Sequence, residues 1–578
     1  MPYSEIETGD VAGRSIVSEP MSLVPSAENE RKNGKKRRRG KGRMKSPNDE
    51  RHVRHHHDKR RVRLPVPSAD EILILPLGGC DAIGMNTTLY GHAGKWIVVD
   101  AGCQFADERE HPGIDAFVPD TSFLAKHADD ILALVVTHGH EDHVGGVQHL
   151  LPKLKCPIHA TPFAARIIRD KLEERGLRSI ASIRTHAPGE TLRIGPFVIE
   201  TIRVAHSIPE STALAITVPI GTVLHTGDWK FDDHPMIGGP TDEAAIARIA
   251  AKGLLAMACD STNSGTEGGT PSEMVAKIGF DHALADCDGA AIVACFASNV
   301  ARVKAFAEVA RAHGRTVAIA GRSLEKMTGH ARLLGHLDGV AEFLSDAEIG
   351  KIPRRQRMII CTGTQGEERA ALGKIVHGRH RFLRAVPGDT VFFSARRIPG
   401  NEEAIDDLQN RLENAGIEVV TPERADIHVS GHPSRDDLAR MMRLAKPACV
   451  VPIHGTPKHI RDHADLATEL GFRATALPFN GAIVRVTRNG VSVTGKIKAE
   501  IMAWDGARLS PAKLPGSIHA ADIPSRLIEK STTAENEKSD TNPVQNEGGK
   551  SGRTRGRRGG RRAQRRRLNA EASVPASA

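Results

Sequence analysis

From about residue 68 to residue 500 the chain alternates short apolar runs with stretches of helical periodicity, and outside that interval the alternation stops. "EILILPLGG" (71–79), "KWIVVDAG" (95–102) and "ILALVV" (131–136) are short and rich in Ile and Val, so they predict buried strands. "PFAARIIRDKLEERG" (162–176) repeats its apolar positions at helical spacing and stops at Gly176. "FVIETIRVAH" (197–206) and "TVLHTGD" (222–228) read as strands that end on polar residues. This half predicts a sheet-rich α/β sandwich.

From about 270 the pattern becomes a regular strand–helix alternation. "TPSEMVAKIGFDHALADC" (270–287) is a helix with an N-terminal capping signal, and "VARVKAFAEVARAHG" (300–314) is a second helix. "AAIVACFASN", "TVAIAG", "MIICTGTQGE" and "GDTVFFSA" are strands between and after them. Such an order predicts a doubly wound parallel sheet. "ADIHVSGH" (425–432) and "ACVVPIHG" (448–455) then read as strands with histidines at their ends. The simplest organisation is one domain interrupted by another, with the polar strand ends converging on one edge, where open α/β sheets place their ligands. The expected boundaries are 1–67 for a disordered N-terminal extension and 68–265 for the first part of the outer domain. The insert occupies 266–423, the second part of the outer domain 424–500, and a low-complexity tail 501–578.

Charge sharpens this division. Residues 31–63 hold 16 Lys/Arg against 3 Asp/Glu, and residues 550–567 hold 10 Lys/Arg and no acid. Together these runs carry +23, against +10 for all 578 residues, which leaves −13 elsewhere. Flexible basic arms on an acidic body suit a polyanion held through counterion release. The eight cysteines are scattered, with no C-x-x-C pair, and read as reduced core residues of a cytoplasmic protein. No long apolar run predicts a membrane span, and the polar start "MPYSEIETGD" argues against a secretory signal. The run "HVRHHHDKRR" (52–61) reads as solvated rather than metal-binding, and "GGCDAIG" as a tight turn.

The candidate chemistry is concentrated in "THGHEDHVGG" (137–146), directly after an apolar strand. His138, His140, Asp142 and His143 are four metal-type ligands in six positions. Imidazoles and carboxylates without sulfur suit zinc or manganese. Four ligands so close in sequence cannot all serve one ion well, but they can divide between two if distant strands add donors. His206, Asp228 and His454 each end an apolar strand and are the candidates, with Asp228 able to bridge. Two ions about 3.5–4 Å apart suit in-line attack of water on phosphorus.

H-x-H-x-D-H after a strand, followed by a distant His and a distant Asp, resembles the metallo-β-lactamase fold. "CDSTN" (259–263), "FASNVARV" (296–303), "GRSLEKM" (321–327), "CTGTQGE" (361–367), "IPGNE" (398–402), "HVSGH" (428–432) and "PIHG" (452–455) resemble the β-CASP nucleases. Within them the chain is most similar to the bacterial ribonuclease J family, from about 70 to 490. The resemblance implies a metallo-β-lactamase αββα sandwich interrupted by a β-CASP domain. It implies one ion, most simply Zn2+ with Mn2+ as the alternative, on His138, His140, His206 and Asp228. A second would sit on Asp142, His143, Asp228 and His454. Asp100 would orient a ligand from behind. Asp142, His432 and Asp260 form the expected catalytic set. Ser298, Asn299 and the segment His428, Val429, Ser430, Gly431, His432 would contact RNA phosphate. The implied activity is 5′-to-3′ removal of nucleotides from single-stranded, 5′-monophosphorylated RNA, with internal cleavage as a second mode, in RNA maturation and decay. Implied partners are a second copy, other RNA-decay proteins or the ribosome, and no membrane. Departures from the family pattern are Asp81 and Ala82 for Gly and Glu, Thr456 and Pro457 in place of the usual Glu-x after the last metal histidine, and Pro433 for Ala. The usual C-terminal domain is not recognisable. The alternative expectation is a weakly active RNA-binding scaffold working through its basic tails. Hydrolysis of a small lactone or thioester would need neither the insert nor the arms.

Overall fold

The structure, a computed structural model, describes residues 63–513 apart from 108, 399 and 474–476. The expectations for residues 1–62 and 514–578, including tail disorder and the histidine run, lie outside the described residues. Two sheets form the outer domain. The first has eight strands in the order Gly490–Lys496, Ala482–Thr487, Ile72–Gly78, Thr87–His92, Lys95–Val99, Ile131–Val135, Ile158–Ala160, Ile183–Thr185. The second has six, in the order Val450–Ile453, Leu254–Asp260, Gly221–His225, Thr212–Val218, Phe197–Arg203, Thr191–Ile194.

Alternate side chains of both sheets meet in one core. Ile74, Val99, Val135 and Val484 from the first sheet pack with Ile199, Ile216, Val223 and Val451 from the second. The outer face of the first sheet is covered by Val147–Leu154 and Pro162–Glu174, through Leu151, Phe163 and Ile168. The outer face of the second is covered by Glu243–Ala250, Arg435–Ala445 and Pro457–Glu469, through Ile246, Leu438 and Leu466. The result is the expected αββα sandwich.

Between the strands Leu254–Asp260 and Val450–Ile453 the chain makes a separate five-stranded sheet. Its order is Thr316–Ala320, Arg357–Cys361, Ala291–Ala294, Thr390–Phe393, Glu418–Val420, and every pairing is parallel. Separate apolar clusters lie on its two faces, one around Phe280, Phe306 and Phe392 and the other around Ile359, Leu372 and Leu408. That is the doubly wound insert the alternation predicts. The helix Glu273–Ala285 starts at Ser272, whose side chain accepts from Met274 N, and Val300–Ala312 starts at Asn299.

Two expectations need correction. Residues 425–432 are not a strand. Their carbonyls serve side chains instead of a ladder. Ile427 O accepts from Ser394 Oγ at 2.6 Å and Arg302 Nη1 at 3.2 Å, and Val429 O accepts from Arg302 Nη2 at 3.3 Å. Residues 501–512, assigned to the tail, form a hairpin whose strand Ile501–Trp504 pairs with Ala116–Pro119 and with Leu509–Ala512. Asp505 Oδ1 accepts from Ala507 N and Arg508 N and closes the turn. All eight cysteines are buried and unpaired. Among the described residues no helix is long and apolar enough to cross a membrane.

Candidate active site

Parallel strands deliver the ligands to one edge. Lys95–Val99 and Ile131–Val135 run side by side, so Asp100 and the 137–143 loop emerge together. Across the sandwich, Gly221–His225, Leu254–Asp260 and Val450–Ile453 are also mutually parallel, and they deliver Asp228, Asp260 and His454. The loop after Ile131–Val135 turns at His140 into the single helical turn Glu141–Val144, which aims three imidazoles and Asp142 inward. Close backbone packing fixes that turn. Asn86 N donates to Asp142 O at 2.9 Å, and a Cβ at Gly102 would stand 1.7 Å from Asp142 O, so only glycine fits there.

Asp228, 2% exposed, sits at the centre. Its Oδ2 lies 3.2 Å from His143 Nε2, 3.5 Å from His138 Nε2 and 3.8 Å from His206 Nε2, and its Oδ1 lies 2.8 Å from His454 Nδ1. His138, His140, His206 and Asp228 each offer a ligand atom within 4.8 Å of the others, and so do Asp142, His143, Asp228 and His454. A third group, Asp228, Asp260, His432 and His454, meets the same limit.

The polar groups around these clusters set ring orientation. His143 Nδ1 donates to Asp100 Oδ2 at 2.7 Å, which turns Nε2 toward Asp228. Asp100 itself, at φ +59°, is held by Thr137 N and Thr137 Oγ1, both at 2.8 Å. His206 Nδ1 donates to Gly431 O at 2.7 Å. A carbonyl can only accept, so the neutral His206 ring has its proton on Nδ1 and a bare Nε2. That Nε2 lies 3.0 Å from His140 Nδ1, which also lies 3.1 Å from His138 Nε2. Each of these nitrogen pairs can share at most one proton. His454 Nε2 is buried 3.3 Å from Asp142 Oδ2 but is not aligned for a hydrogen bond with any described residue. A cation among these atoms satisfies all of them, so the residues fit a divalent metal centre, and a donor set free of sulfur suits the zinc or manganese class.

Protonation follows burial and charge. Burial holds His138 well below its ordinary range, lowers His206 likewise and brings His140 to about 4, so these rings keep their lone pairs at neutral pH. Burial disfavours ionised carboxylates, but His143 overcomes it and holds Asp142 and Asp228 well below the usual range. Burial likewise opposes charge on His432, yet Asp260, whose Oδ2 is 2.8 Å from His432 Nδ1, and Asp228 raise it.

The residues expected to touch RNA divide into two sets. Gly431 lies with its backbone against His206, and among the described residues neither the Ser430 nor the Gly431 N–H donates to a protein acceptor. Ser430 Oγ is held by Asn263 Nδ2 at 2.8 Å. His428 and Val429 face the buried Arg302, and burial together with Arg302 lowers His428 to about 3. Asn299 caps its helix, with Oδ1 accepting from Arg302 N at 2.9 Å, while Ser298 is half-buried beside it. Three contacts had no sequence expectation. Asn86 Nδ2 reaches His143 Nε2 at 3.0 Å and Asp142 Oδ2 at 3.3 Å. Ser207 Oγ is 3.4 Å from His140 Nε2. Arg302, fully buried, joins Glu273 to the 427–429 segment. Asn86 closes the "GMN" turn, which was a signal; an arginine inside a helical repeat was none.

Three of the departures, Thr456, Pro457 and Asp81, have local roles. Thr456 caps the helix Pro457–Glu469, with its side chain accepting from His459 N, and Pro457 occupies the first turn, where a missing N–H costs nothing. Asp81 Oδ2 accepts from Asn480 N at 3.3 Å. Four further histidines make structural contacts: His92 Nδ1 meets Glu71 O, His127 Nε2 accepts from Leu64 N, His111 packs on Phe117 and His149 on Trp504.

Three family models match the chain. They are the metallo-beta-lactamase superfamily over residues 82–253, the ribonuclease J beta-CASP domain over 288–412, and the Zn-dependent metallo-hydrolase RNA specificity domain over 423–478. A ribonuclease J of Sinorhizobium meliloti is 41% identical over 435 residues, 75% of this chain and 76% of its own. The ribonuclease J of Synechocystis is 36% identical over 75% of this chain and 68% of its own, and that of Thermus thermophilus is 35% identical over 76% and 78%. A crystal structure of an Enterococcus faecalis protein of unknown function has the same fold. Its TM-score is 0.52 at 16% identity, and the match covers 72% of this chain and all of that one.

Proposed function

The chain belongs to the ribonuclease J family and is a metal-dependent ribonuclease, and from that premise we propose that it removes nucleotides from the 5′ end of single-stranded RNA, preferring a 5′-monophosphate. The observation that supports the reading is the pair of four-ligand clusters sharing Asp228, with the unpartnered N–H groups of Ser430 and Gly431 beside them.

His138, His140, His206 and Asp228 would hold one divalent ion and Asp142, His143, Asp228 and His454 the other, with zinc the expected metal. Such ions activate water and neutralise charge developing on phosphorus. The rest falls to the chain. Asp100 and Gly431 O fix the rings of His143 and His206 through their Nδ1 protons. Asn86 steadies the Asp142 carboxylate. Ser430 and Gly431 N–H donate to the terminal phosphate and so set which phosphodiester lies at the centre. His432, its Nδ1 engaged by Asp260, delivers a proton from Nε2 to the leaving oxygen.

The test is a time course on RNA labelled at its 5′ end and carrying one or three phosphates, with zinc or manganese added. Early release of labelled mononucleotide, faster from the monophosphate, is expected. Labelled 5′-terminal oligonucleotides at early times, in place of mononucleotide, would reject the exonuclease reading. The two four-ligand clusters and the family favour hydrolysis over the scaffold alternative, in which the basic tails alone would bind RNA.

A further inference from the structure

The parallel sheet of the insert has two unlike ends. Its strands finish at Ala294, Cys361 and Phe393, and the segments that follow reach the metal centre: Ser394 Oγ and Arg302 hold the 427–429 carbonyls. Its strands begin at Ala291, Arg357 and Thr390, at the opposite end. Two segments lead into those beginnings. Residues 351–357 contain four Lys/Arg and no acid, and residues 374–388 contain four more and no acid. In a body whose remainder is acidic, this is a local reversal of sign.

A buried clasp joins the two segments. Asp389, 1% exposed, accepts from Ala290 N at 3.0 Å and from Val386 N at 2.9 Å, and it pairs with Arg354. Arg354 Nη2 also donates to Arg384 O at 3.4 Å. The loops are therefore held together, and their outer side chains face solvent. Lys351, Arg355 and Arg381 are exposed, with Arg355 78% so. Phe382 is 44% exposed among them, and the Arg381 guanidinium stands 4.8 Å from its ring. The acidic neighbours lie at the margin: Asp288 is 3.8 Å from Arg355, Asp346 is 3.7 Å from His380, Glu348 interacts with Lys351, and Glu368 pairs with Arg379.

We propose that this far end of the insert is a second RNA-binding surface, which holds a distal part of the substrate while its end is in the metal centre. Cations bind the phosphates and an exposed ring offers a base a stacking face, the combination that holds single strands without reading sequence. The premise is only that the chain is a ribonuclease; the direction of attack does not enter. RNA is favoured over an acidic protein because RNA is already the substrate and because the exposed ring lies among the charges.

Length separates this surface from the centre. Strands of four or five residues rising about 3.3 Å each put about 13–17 Å of sheet between the two ends, before any loop is counted. A dinucleotide, with a single phosphodiester step even when fully extended, cannot use both. The experiment compares the full-length protein with the triple variant Lys351→Glu, Arg355→Glu, Arg381→Glu on a 5′-phosphorylated dinucleotide and on an unstructured 40-mer. The expected result is kcat and KM on the dinucleotide within about twofold of the parent, with Kd for the 40-mer rising about tenfold at low salt. The slope of log K against log salt should fall by about 2, at about 0.7 per phosphate contact. Unchanged 40-mer binding and slope would overturn the proposal, as would equal losses on both substrates. Sedimentation showing a parental dimer that the variant dissolves would also overturn it, since the surface would then pair two copies of the chain.

Discussion

Arg302 provides the most demanding test of how the two domains share the site. It is fully buried and pairs with Glu273, itself 4% exposed. Its fork also reaches Ser394 Oγ, Ile427 O and Val429 O, so one guanidinium ties a helix of the insert to the segment that ends in His432. Arg302→Met leaves Glu273 as a buried, uncompensated carboxylate and deprives Val429 O of its donor, while Ile427 O keeps Ser394 Oγ. Breaking a buried pair from one side costs about 3–5 kcal/mol, and the orphaned acceptor about 1–3 more, though the terms do not add fully. Against a total stability of about 5–15 kcal/mol this is a large fraction. The double variant Arg302→Met, Glu273→Met removes both charges, so it should recover at least about 2 kcal/mol relative to the sum of the singles. Function should fall separately from stability. If the 427–431 segment loosens, Gly431 O no longer fixes His206, and losing such an orienting partner costs about 10–100-fold in metal affinity or activity. The assays are urea unfolding followed by tryptophan fluorescence, bound metal per chain, and kcat on a short 5′-monophosphorylated RNA at a temperature where every variant is folded. Arg302→Lys keeps the charge but not the fork, so it should recover part of the stability and less of the rate. A folded Arg302→Met protein with parental metal content and parental kcat would refute the reasoning.

Other predictions follow from single contacts. His140→Ala should reduce hydrolysis by at least about 1,000-fold while RNA still binds in a filter or anisotropy assay; unchanged hydrolysis would reject the ligand assignment. Asp100→Asn keeps the size but cannot hold His143 in the same tautomer, and it should lower metal affinity or kcat about 10–100-fold, read by competitive chelation. Gly102→Ala forces the 1.7 Å clash with Asp142 O and should cost activity even where circular dichroism is unchanged. Ending the chain at residue 499 removes the hairpin paired with Ala116–Pro119, and the Trp504 ring against Arg175 at 4.2 Å, so the melting temperature should fall by several degrees. Truncation that leaves the melting temperature unchanged would mean the hairpin contributes no stability.

What could be read without a structure was what is local. The 137–143 cluster is legible because its ligands fall within a single turn, and the strands behind it are legible because β-branched runs of five residues have few alternatives. His206, Asp228 and His454 were legible because each follows an apolar strand. The 425–432 segment misled because its alternation resembles a strand, whereas its carbonyls are claimed by Arg302 and Ser394, both distant in sequence. Arg302 was invisible for the same reason: only tertiary packing distinguishes it from a surface arginine on a helix. The hairpin at 501–512 did have a signal, since Asp505-Gly506 lies between two short alternating runs and is a favoured turn pair.

The altered loop after His454 shows how a ligand can be kept while its neighbours change. His454 adopts φ +54°, a left-handed conformation that costs a non-glycine residue about 1–2 kcal/mol, so something must enforce it. On one side the strand Val450–Ile453 is locked against Leu254–Asp260. On the other, Gly455 N donates to Gly79 O at 2.9 Å, and Thr456 begins the helix Pro457–Glu469. A carboxylate at 456 could contribute its charge to the helix N-terminus, but the threonine hydroxyl already caps it and Pro457 fixes the first helical φ. The ring of His454 is therefore aimed by a strand end, one backbone hydrogen bond and a capped helix. None of these needs the residue that the wider family places there, and so the departure leaves His454 within 3.3 Å of Asp142 and 2.8 Å of Asp228.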